Sequence, residues 1–238
     1  MIFCPITRAQ LLAFLPKNAT VAEIGVAEGH FSQTILQIAQ PARLHLIDPW
    51  IHQETESYAK DINNVSDGEQ ESRFQAVCRR FQAETASGQV VIQRAFSGDA
   101  LKTFQGTPFD WIYIDALHTF EGVWDDLTGY DALVKEDGFI LGHDYTNHQL
   151  ASHMGFGVIE AVDRFVRERG YHFLALTAED FPTYLLARRR DSPAAQKLIA
   201  NLYYHLPLVM EIEDHPDGRG FKQRLYEVNG KKVVVSAF

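Results

Sequence analysis

The 238-residue sequence is poor in cysteine and has no long apolar run. Its two cysteines, Cys4 and Cys78, are far apart, so they predict neither a disulfide framework nor a zinc site with short ligand spacing. No stretch approaches the roughly 20 apolar residues of a membrane-spanning helix. The first residues also lack the basic segment and apolar run of a secretory signal. We therefore expect a cytoplasmic protein with no membrane partner.

Positive charge is scarce as well. Lys and Arg number 22 against 31 Asp and Glu, which gives a net charge of −9. Nucleic-acid binding usually requires a basic surface, and anionic lipid attracts clusters of Lys and Arg. The composition therefore predicts no nucleic-acid partner. Hydrophobic residues make up 46% of the chain, which is enough for the core of one large domain.

Short apolar, β-branched runs alternate with stretches of helical periodicity from residue 20 onward. Five of these runs predict successive strands: TVAEIGV (20–26), RLHLIDPW (43–50), QVVIQRA (89–95), FDWIYID (109–115) and FILGHD (139–144). This alternation is typical of a doubly wound, Rossmann-like α/β fold with a mainly parallel sheet. YHFLALT (171–177) and TYLLARR (183–189) predict a final antiparallel pair. Ligands of such sheets bind at the carboxyl ends of the strands.

The last 48 residues differ in pattern, so we divide the chain into a main domain, 1–190, and a C-terminal appendage, 191–238. The appendage begins with a helix near 193–205. Asn229-Gly230 between two strand-like runs predicts a type I′ β-hairpin. This hairpin could pack on the sheet, cover the active site or join a second subunit in a homodimer.

A glycine-containing loop, EIGVAEGHF (23–31), joins the first strand to the first helix. Gly25 and Gly29 permit a tight turn and a close approach of a ligand. Asp48 ends the second strand, where a carboxylate can accept hydrogen bonds from both ribose hydroxyls of a nucleotide-like cofactor. A purely structural turn is the alternative.

The same loop departs from the G-x-G-x-x-G pattern of dinucleotide-binding proteins. Ala27 and His30 replace the second and third glycines, and Glu28 would repel a pyrophosphate. A cofactor without phosphates fits better, and we predict S-adenosylmethionine, with Ala27 in the binding loop. Glu23 could attract its cationic sulfonium and amino acid end, and we also predict that Asp115, at the end of the fourth strand, contacts the cofactor.

The third strand ends in AFSGDAL (95–101), beside the predicted adenine position. Asp99 can accept a hydrogen bond from the adenine amino group, and Ser97 lies nearby. The alternative is that one of the two caps the helix that follows.

Acidic and imidazole side chains end the fourth and fifth strands. Neighbouring strands lie about 4.8 Å apart, so Asp115, His143 and Asp144 should converge. Such a group suits Mg²⁺, or Mn²⁺ because imidazole is a softer ligand. His118 is placed to act as a general base, although a histidine before a helix is often only a capping or core residue.

The helix after the fourth strand carries further acids. We predict that they lie on its solvent-exposed face and take no part in the site: Asp125, Asp126 and Asp131.

Together these segments resemble the class I S-adenosylmethionine-dependent methyltransferases. The motifs are VAEIGVAEGHFS, LIDPW, SGDAL, WIYIDALHTFEGVWDDL and GFILGHDY. The nearer resemblance is to the branch with macrocin-type sugar O-methyltransferases and cephalosporin-hydroxylase-like proteins, over roughly residues 18–190. It implies a seven-stranded sheet with the last strand antiparallel. It implies cofactor contacts at these positions: Glu23, Gly25, Gly29, Asp48 and Asp99.

The resemblance also implies a divalent metal held by Asp115 and by an acidic pair after the fifth strand. Two positions depart from that pattern: His143 replaces the first acid of the pair, and Leu117 stands where relatives often carry an acidic base. His118 or His143 would then act as the base, with Asp144 completing the catalytic group.

The sequence therefore predicts methyl transfer from S-adenosylmethionine to a hydroxyl of a small polar acceptor, such as a sugar or glycoside. The polar stretch 52–68 is predicted to be a mobile loop that closes over cofactor and acceptor. Two alternatives are a module that binds the cofactor without turnover and an NAD-dependent oxidoreductase, which the altered glycine pattern disfavours.

Overall fold

In the computed structural model, which describes residues 1–58, 61–104, 106 and 109–238, strands and helices alternate along most of the chain. The strands are β1 (Ile2–Cys4), β2 (Thr20–Ile24), β3 (Arg43–Asp48), β4 (Val90–Arg94), β5 (Phe109–Ile114), β6 (Val134–Gly142), β7 (His172–Thr177), β8 (Tyr184–Ala187), β9 (Met210–Glu211), β10 (Lys222–Val228) and β11 (Lys231–Ala237). The helices are α1 (Arg8–Leu11), α2 (His30–Ala39), α3 (Asp67–Arg80), α4 (Gln82–Ala86), α5 (Ser97–Ala100), α6 (Phe120–Tyr130), α7 (Gln149–His153), α8 (Val158–Arg169) and α9 (Pro193–His205).

The main sheet has the strand order β4-β3-β2-β5-β6-β8-β7-β1-β9. Strands β2 to β6 pair in parallel, and β8 runs antiparallel to both β6 and β7. This confirms the mainly parallel α/β sheet and the antiparallel pair near its end. The predicted count of seven strands is wrong for the described residues, because β1 and β9 extend the sheet to nine. With three and two residues, these strands are too short to show a period-two pattern in the sequence.

Two hydrophobic layers cover the faces of this sheet. Alternate residues of β2 point to opposite layers, so Ala22 and Ile24 pack with α6 and α8, whereas Val21 packs on the face of α1, α2 and α9. Glu23 lies on the second face and is buried, opposite Tyr113 of β5 in the strand register. The only ionisable residue of the β2 strand is thus placed inside the fold.

The strand order reverses at β2, which lies between β3 and β5. Backbone hydrogen bonds continue past the strand ends, from Gly25 N to Ile47 O and from Asp115 N to Ile24 O. His143 N donates to Ile114 O in the same way. The loops after β2, β3, β5 and β6 therefore meet at one edge, where such sheets bind ligands.

Helix α6 carries the predicted apolar stripe: Val123, Leu127 and Tyr130 are buried. Thr119 caps the helix and accepts a hydrogen bond from Gly122 N. The prediction that the acids of this region are all solvated is wrong for two of them. Asp126 is buried, and Asp131 accepts hydrogen bonds from Tyr171, which precedes β7, and from Arg188, which follows β8. Burial of this kind depends on tertiary neighbours that the helical pattern does not reveal.

The C-terminal segment contains the predicted helix and hairpin. Ala195, Leu198 and Leu202 of α9 are buried against the second face of the sheet. Strands β10 and β11 form a separate two-stranded sheet whose turn residues, Asn229 and Gly230, have φ of +52° and +73°, as a type I′ turn requires. Within the described residues, no helix has both the length and the apolar character to cross a membrane.

Part of the stretch predicted to be a mobile loop, residues 59 and 60, lies outside the described residues. The remainder folds against the start of α3: the Asn64 side-chain amide donates to the carbonyl oxygens of Gln53 and Tyr58, and Gln53 N donates back to Asn64 Oδ1. His52 N donates to Asp67 Oδ1 of α3. These contacts bring the segment beside the reversal point of the sheet.

Candidate active site

The glycine loop after β2 passes close to the end of β5. Gly25 has a φ of +89°, and a Cβ atom there would lie 2.0 Å from the carbonyl oxygen of Asp115. Gly29 also has a positive φ, +72°, and faces Val77 and Phe81 of the neighbouring helix region. Both positions therefore require glycine, one for approach to β5 and the other for packing of α2. Ala27, with a φ of +48°, accepts a hydrogen bond from the Trp50 indole.

Asp48 joins the loops after β2 and β3. Its Oδ2 accepts hydrogen bonds from Val26 N and Ala27 N, at 2.9 and 3.0 Å, and its Oδ1 accepts one from Trp50 N at 2.8 Å. Burial raises the pKa of Asp48 in spite of these three donors. The carboxylate is thus fixed in place by the backbone and still lines the adjacent cavity.

A cavity of about 290 Å³ opens at this edge of the sheet. It takes in five of the residues that the sequence predicts to bind the cofactor: Gly25, Ala27, Asp48, Ser97 and Asp115. The described part of the loop before α3 contributes polar lining from Gln53, Tyr58, Asp61, Asn63 and Asn64. Among the lining side chains that the structure describes, five are carboxylates and one, Arg73, is a cation. This balance favours a ligand with positive charge over one with phosphates.

The structure places Asp99 away from this cavity. Its side chain is mostly exposed and lies 2.7 Å from Lys102 Nζ. Asp126 of α6 occupies the cavity wall instead, beside Ser97. Burial raises the pKa of Asp126 to about 6, and the nearby Ser97 hydroxyl only partly offsets that effect. Sequence reasoning missed Asp126 because it assigned the residue to the exposed face of the helix.

Glu23 lies beneath the glycine loop and is only 1% exposed. Burial raises the pKa of its carboxyl group to about 8, with the Ser32 side chain lowering it in part. One carboxylate oxygen, Oε2, has no hydrogen-bond partner among the described residues. Glu23 is therefore largely protonated at neutral pH and would ionise readily beside a cation.

Four side chains from the ends of β5 and β6 converge at the far side of Gly25. His118 Nε2 lies 2.7 Å from Asp144 Oδ2 and 3.5 Å from Asp115 Oδ1. His143 Nδ1 lies 2.9 Å from Asp144 Oδ1 and 3.7 Å from Asp115 Oδ1. All four side chains are less than a quarter exposed. The structure thus brings together the residues predicted to be catalytic and those predicted to bind a metal.

Charge coupling sets the protonation states in this cluster. Burial disfavours the imidazolium form of His118, but Asp115 and Asp144 outweigh it and raise the pKa of His118 to about 10. The same two carboxylates raise the pKa of His143 against the effect of burial. In turn, the histidines hold the pKa of Asp144 well below its ordinary value. His118 is therefore protonated at pH 7, and the two carboxylates favour the imidazolium form of His143 as well.

The cluster also fits a divalent cation. One ligand atom each from Asp115, His118 and Asp144 lie within 4.8 Å of one another. His118 Nε2 is buried and makes no hydrogen bond of regular geometry within the described residues, although Asp144 Oδ2 is only 2.7 Å away. Two carboxylates with one imidazole suit Mn²⁺, Fe²⁺ or Zn²⁺ as well as Mg²⁺. The ligand group differs from the predicted one, because His118 takes the place of His143.

Arg8 of α1 was not identified from the sequence. Its Nη1 lies 2.9 Å from Asp115 Oδ2 and 3.2 Å from the Tyr113 hydroxyl, and its guanidinium stacks over Phe31 at 4.4 Å. Arg8 thereby fixes the outer oxygen of Asp115 and leaves Oδ1 facing the histidines. A single arginine in a short N-terminal helix carries no sequence signal for such a contact.

Two aromatic rings border the histidines. Phe156 stacks on His118 with ring centroids 4.6 Å apart, and Phe181 lies 6.5 Å from the His143 ring. The two phenylalanines are 6.2 Å apart and half-buried. They form an apolar wall beside the histidine cluster of Asp115, His118, His143 and Asp144.

Comparison with known proteins agrees with this geometry. A family model described as a methyltransferase domain matches residues 22–145. No curated protein matches the sequence. Solved structures share its fold at low identity, and at that level the likeness shows the fold alone.

One of these structures is an O-methyltransferase family protein from Burkholderia thailandensis, with a TM-score of 0.56 and 14% identity over 77% of this chain and 56% of that one. Another is SMU.1697c from Streptococcus mutans, assigned as a methyltransferase and solved with SAH; its TM-score is 0.50 and its identity 9%, over 75% and 93% of the two chains.

A third structure corrects the prediction about partners. The tRNA methyltransferase TrmK from B. subtilis has a TM-score of 0.51 with 12% identity, over 80% of this chain and 72% of that one. Because the same fold serves a protein that acts on tRNA, the exclusion of nucleic acid from the net charge was wrong. Net charge averages over the whole surface and does not report the local surface around a site.

Proposed function

Because the chain belongs to the methyltransferase-domain family, we propose that it transfers the methyl group of S-adenosylmethionine to a hydroxyl group of a small polar acceptor. The observation that carries the proposal is the meeting of His118, Asp115 and Asp144 at one end of an acidic cavity beside a glycine loop. A cofactor cavity and a cluster suited to proton transfer are thus adjacent.

The cavity provides for each part of the cofactor. Asp48, held by three backbone donors, has lone pairs left for ribose hydroxyls. Ser97 and Asp126 form the wall beside the predicted adenine position, where a carboxylate can accept from the adenine amino group. Gly25 lines the cavity where the methionine portion would lie, and its lack of a Cβ lets the loop pack against the backbone of Asp115. Glu23 and Asp115 supply negative charge for the sulfonium and ammonium groups.

The histidine cluster would handle the proton of the acceptor. A hydroxyl is a weak nucleophile until its proton is removed, so a nearby base assists transfer. The two imidazoles are the candidates for that role, and Asp144 orients both, at 2.7 Å from His118 Nε2 and 2.9 Å from His143 Nδ1. His143 contacts the opposite oxygen of Asp144 and keeps that carboxylate ionised. Phe156 and Phe181 would exclude water and align the acceptor with the methyl group.

A divalent cation held by Asp115, His118 and Asp144 would lower the pKa of an acceptor hydroxyl and offset the two carboxylates. Without that offset, the carboxylates keep His118 protonated at neutral pH, since its pKa is raised to about 10. With such a cation bound, the carboxylates would raise the pKa of His143 less, and its neutral ring could take the hydroxyl proton. Arg8 keeps Asp115 oriented in either state.

Binding measurements separate the cofactors. Thermal shift and calorimetry with S-adenosylmethionine, S-adenosylhomocysteine and NAD, each with and without Mg²⁺ or Mn²⁺, should show binding of the first two and not of NAD. Binding of NAD alone would instead support an oxidoreductase. Failure of both sulfur compounds to bind would overturn the proposal.

The acceptor requires a separate screen with methyl-labelled cofactor. Sugars, glycosides and phenolic hydroxyl compounds form one arm, and unmodified tRNA and rRNA fragments form a second. We expect label in the first arm. Transfer only to RNA would overturn the small-molecule acceptor, and cofactor binding with no transfer in either arm would support a binding module.

A further inference from the structure

Two loops border the histidine cluster on the side of the aromatic wall. One, residues 145–148, follows Asp144 directly, and the other, residues 178–183, joins β7 to β8 and carries Phe181. A backbone hydrogen bond of 3.0 Å joins them, from Tyr145 N to Pro182 O. Their relative position decides where Phe181 lies with respect to His143.

Gln223, the second residue of β10, connects both loops through a buried side chain that is only 7% exposed. Its Oε1 accepts a hydrogen bond from the Thr146 hydroxyl. Its Nε2 donates to the carbonyl oxygens of Glu179 and Asp180, both at 3.3 Å. The carboxamide therefore uses its acceptor on one loop and its donors on the other.

Neighbouring contacts hold this part of β10 in place. Gln223 N donates to Asn147 Oδ1 at 2.9 Å, and Asn147 Nδ2 donates to Phe221 O at 2.9 Å. The rings of Phe221 and Tyr145 lie 5.3 Å apart. The hairpin is thus joined to the segment that immediately follows Asp144.

Asp144 itself has an unusual backbone conformation, with a φ of +61°. A non-glycine residue in this left-handed region depends on its surroundings for support. Thr146 N donates to Asp144 O at 2.7 Å, so the tight turn and the Gln223 contact share the same residue. Movement of Thr146 would be transmitted to the Asp144 carboxylate.

We propose that Gln223 is a positioning residue. Through it, the C-terminal segment fixes the turn at Asp144 and the loop that carries Phe181, both beside the histidine cluster. Gln223 does not contact the cluster; it acts through Thr146 on one side and through the backbone of residues 179 and 180 on the other. The role of the positioned groups in catalysis rests on the proposed function, whereas the connection that Gln223 makes between the two loops rests only on these contacts.

Two substitutions separate the contacts that Gln223 makes with each loop. Gln223→Ala removes the side-chain contacts with both loops. Gln223→Glu keeps an acceptor for the Thr146 hydroxyl but has no donor for the carbonyl oxygens of Glu179 and Asp180. Lys232→Ala is the matched control, because Lys232 lies on the same hairpin and is exposed.

Hydrogen–deuterium exchange of the full chain is the measurement. We expect Gln223→Ala to speed exchange about tenfold in both 144–148 and 178–183. Gln223→Glu should speed it mainly in 178–183, and Lys232→Ala in neither. The exchange rate of residues 25–29 in the glycine loop should not change in any variant. A uniform rise across the chain, or no rise in either loop, would overturn the proposal.

Two ligand measurements add a functional readout that needs no acceptor. Gln223→Ala should weaken Mn²⁺ binding about fivefold or more, as followed by electron paramagnetic resonance, because the Asp144 carboxylate is less well fixed. Affinity for S-adenosylhomocysteine should stay unchanged. If the wild-type chain bound no S-adenosylhomocysteine, the proposed function would fail. The hydrogen–deuterium exchange test of the two loops joined by Gln223 would still stand.

Discussion

His118 Nε2 lies 2.7 Å from Asp144 Oδ2, although the two residues follow different strands of the sheet. Asp144 also receives His143 on its other oxygen, at 2.9 Å. One carboxylate therefore controls two imidazoles, and the charge of Asp144 decides how strongly each holds its proton.

Asp144→Asn should lower the pKa of His118 from about 10 towards its ordinary value, because one of the two carboxylates that raise it is lost. Asparagine tolerates the left-handed backbone at this position, so the turn should persist. NMR titration of the His118 ring in metal-free protein measures the shift. Asp137→Asn, at an exposed site, is the control, and an unchanged His118 titration in Asp144→Asn would contradict the coupling.

The unfolding free energy should also depend on pH differently in the wild type and in Asp144→Asn. A histidine with a raised pKa in the folded state contributes stability that is complete below its unfolded pKa of about 6.5 and is lost as pH rises through about 10. Wild-type stability should therefore fall across that range more steeply than that of Asp144→Asn. Urea unfolding at several pH values, with Asp137→Asn alongside, provides the comparison.

Much of this cluster could be predicted from the sequence. Alternating strands and helices imply a parallel sheet, and parallel strands bring their carboxyl ends to one edge. That rule placed Asp48, Asp115 and Asp144 beside Gly25 without knowledge of any distance, and the structure brings them to that edge. The predicted strands end within two residues of the observed ends, which is close enough to place the side chains that follow them at this edge.

Residues that reach the site from other parts of the chain could not be predicted in this way. Arg8 comes from a four-residue helix, and Gln223 comes from a hairpin far along the sequence. Asp126 lies on a face of α6 that is polar in sequence, but the segment after β4 that carries Ser97 covers it. In each case the decisive fact is a tertiary contact, which local periodicity does not encode.

Glu23 should make cofactor affinity depend on pH. The pKa of its carboxyl group is about 8, so below that pH a cationic ligand must displace a proton when it pairs with Glu23. S-adenosylmethionine should therefore bind more tightly as pH rises from about 6 to about 7.5, by at most about tenfold per unit.

Calorimetry in buffers of different ionisation enthalpy would count the released proton. 5′-Methylthioadenosine, which lacks the sulfonium and the amino acid end, should bind with no such dependence, and Glu23→Gln should remove it for S-adenosylmethionine. Equal pH dependence for both ligands would rule out this role of Glu23.

Gly25→Ala should destroy the cofactor cavity. The new Cβ would lie 2.0 Å from the carbonyl oxygen of Asp115, and the φ of +89° is unfavourable for alanine. Because two backbone segments must separate, we expect a loss of about 3 kcal/mol or more in unfolding free energy, together with loss of S-adenosylhomocysteine binding.

Gly98→Ala is the matched control for that variant. A Cβ atom at Gly98 meets nothing within 4 Å, although Gly98 adjoins the cavity residue Ser97. Stability and binding should therefore stay close to those of the wild type. Normal cofactor binding by Gly25→Ala would show that the loop does not need its close approach to β5.

Asp126→Asn should stabilise the free protein and weaken cofactor binding, two effects of opposite sign. The pKa of Asp126 rises from 3.8 to about 6 on folding, so its burial costs stability as pH rises through that window, by about 3 kcal/mol when complete. Asparagine removes this cost, but its amide oxygen is a weaker acceptor for the adenine amino group than the carboxylate is. Urea unfolding should show a gain at pH 7 and little change near pH 4, while S-adenosylhomocysteine affinity falls about tenfold.

Asp137→Asn, at an exposed site that does not line the cavity, is the control and should change neither quantity. A stabilised Asp126→Asn protein with unchanged cofactor affinity would leave Asp126 as a buried structural acid and move the adenine contact elsewhere on the cavity wall.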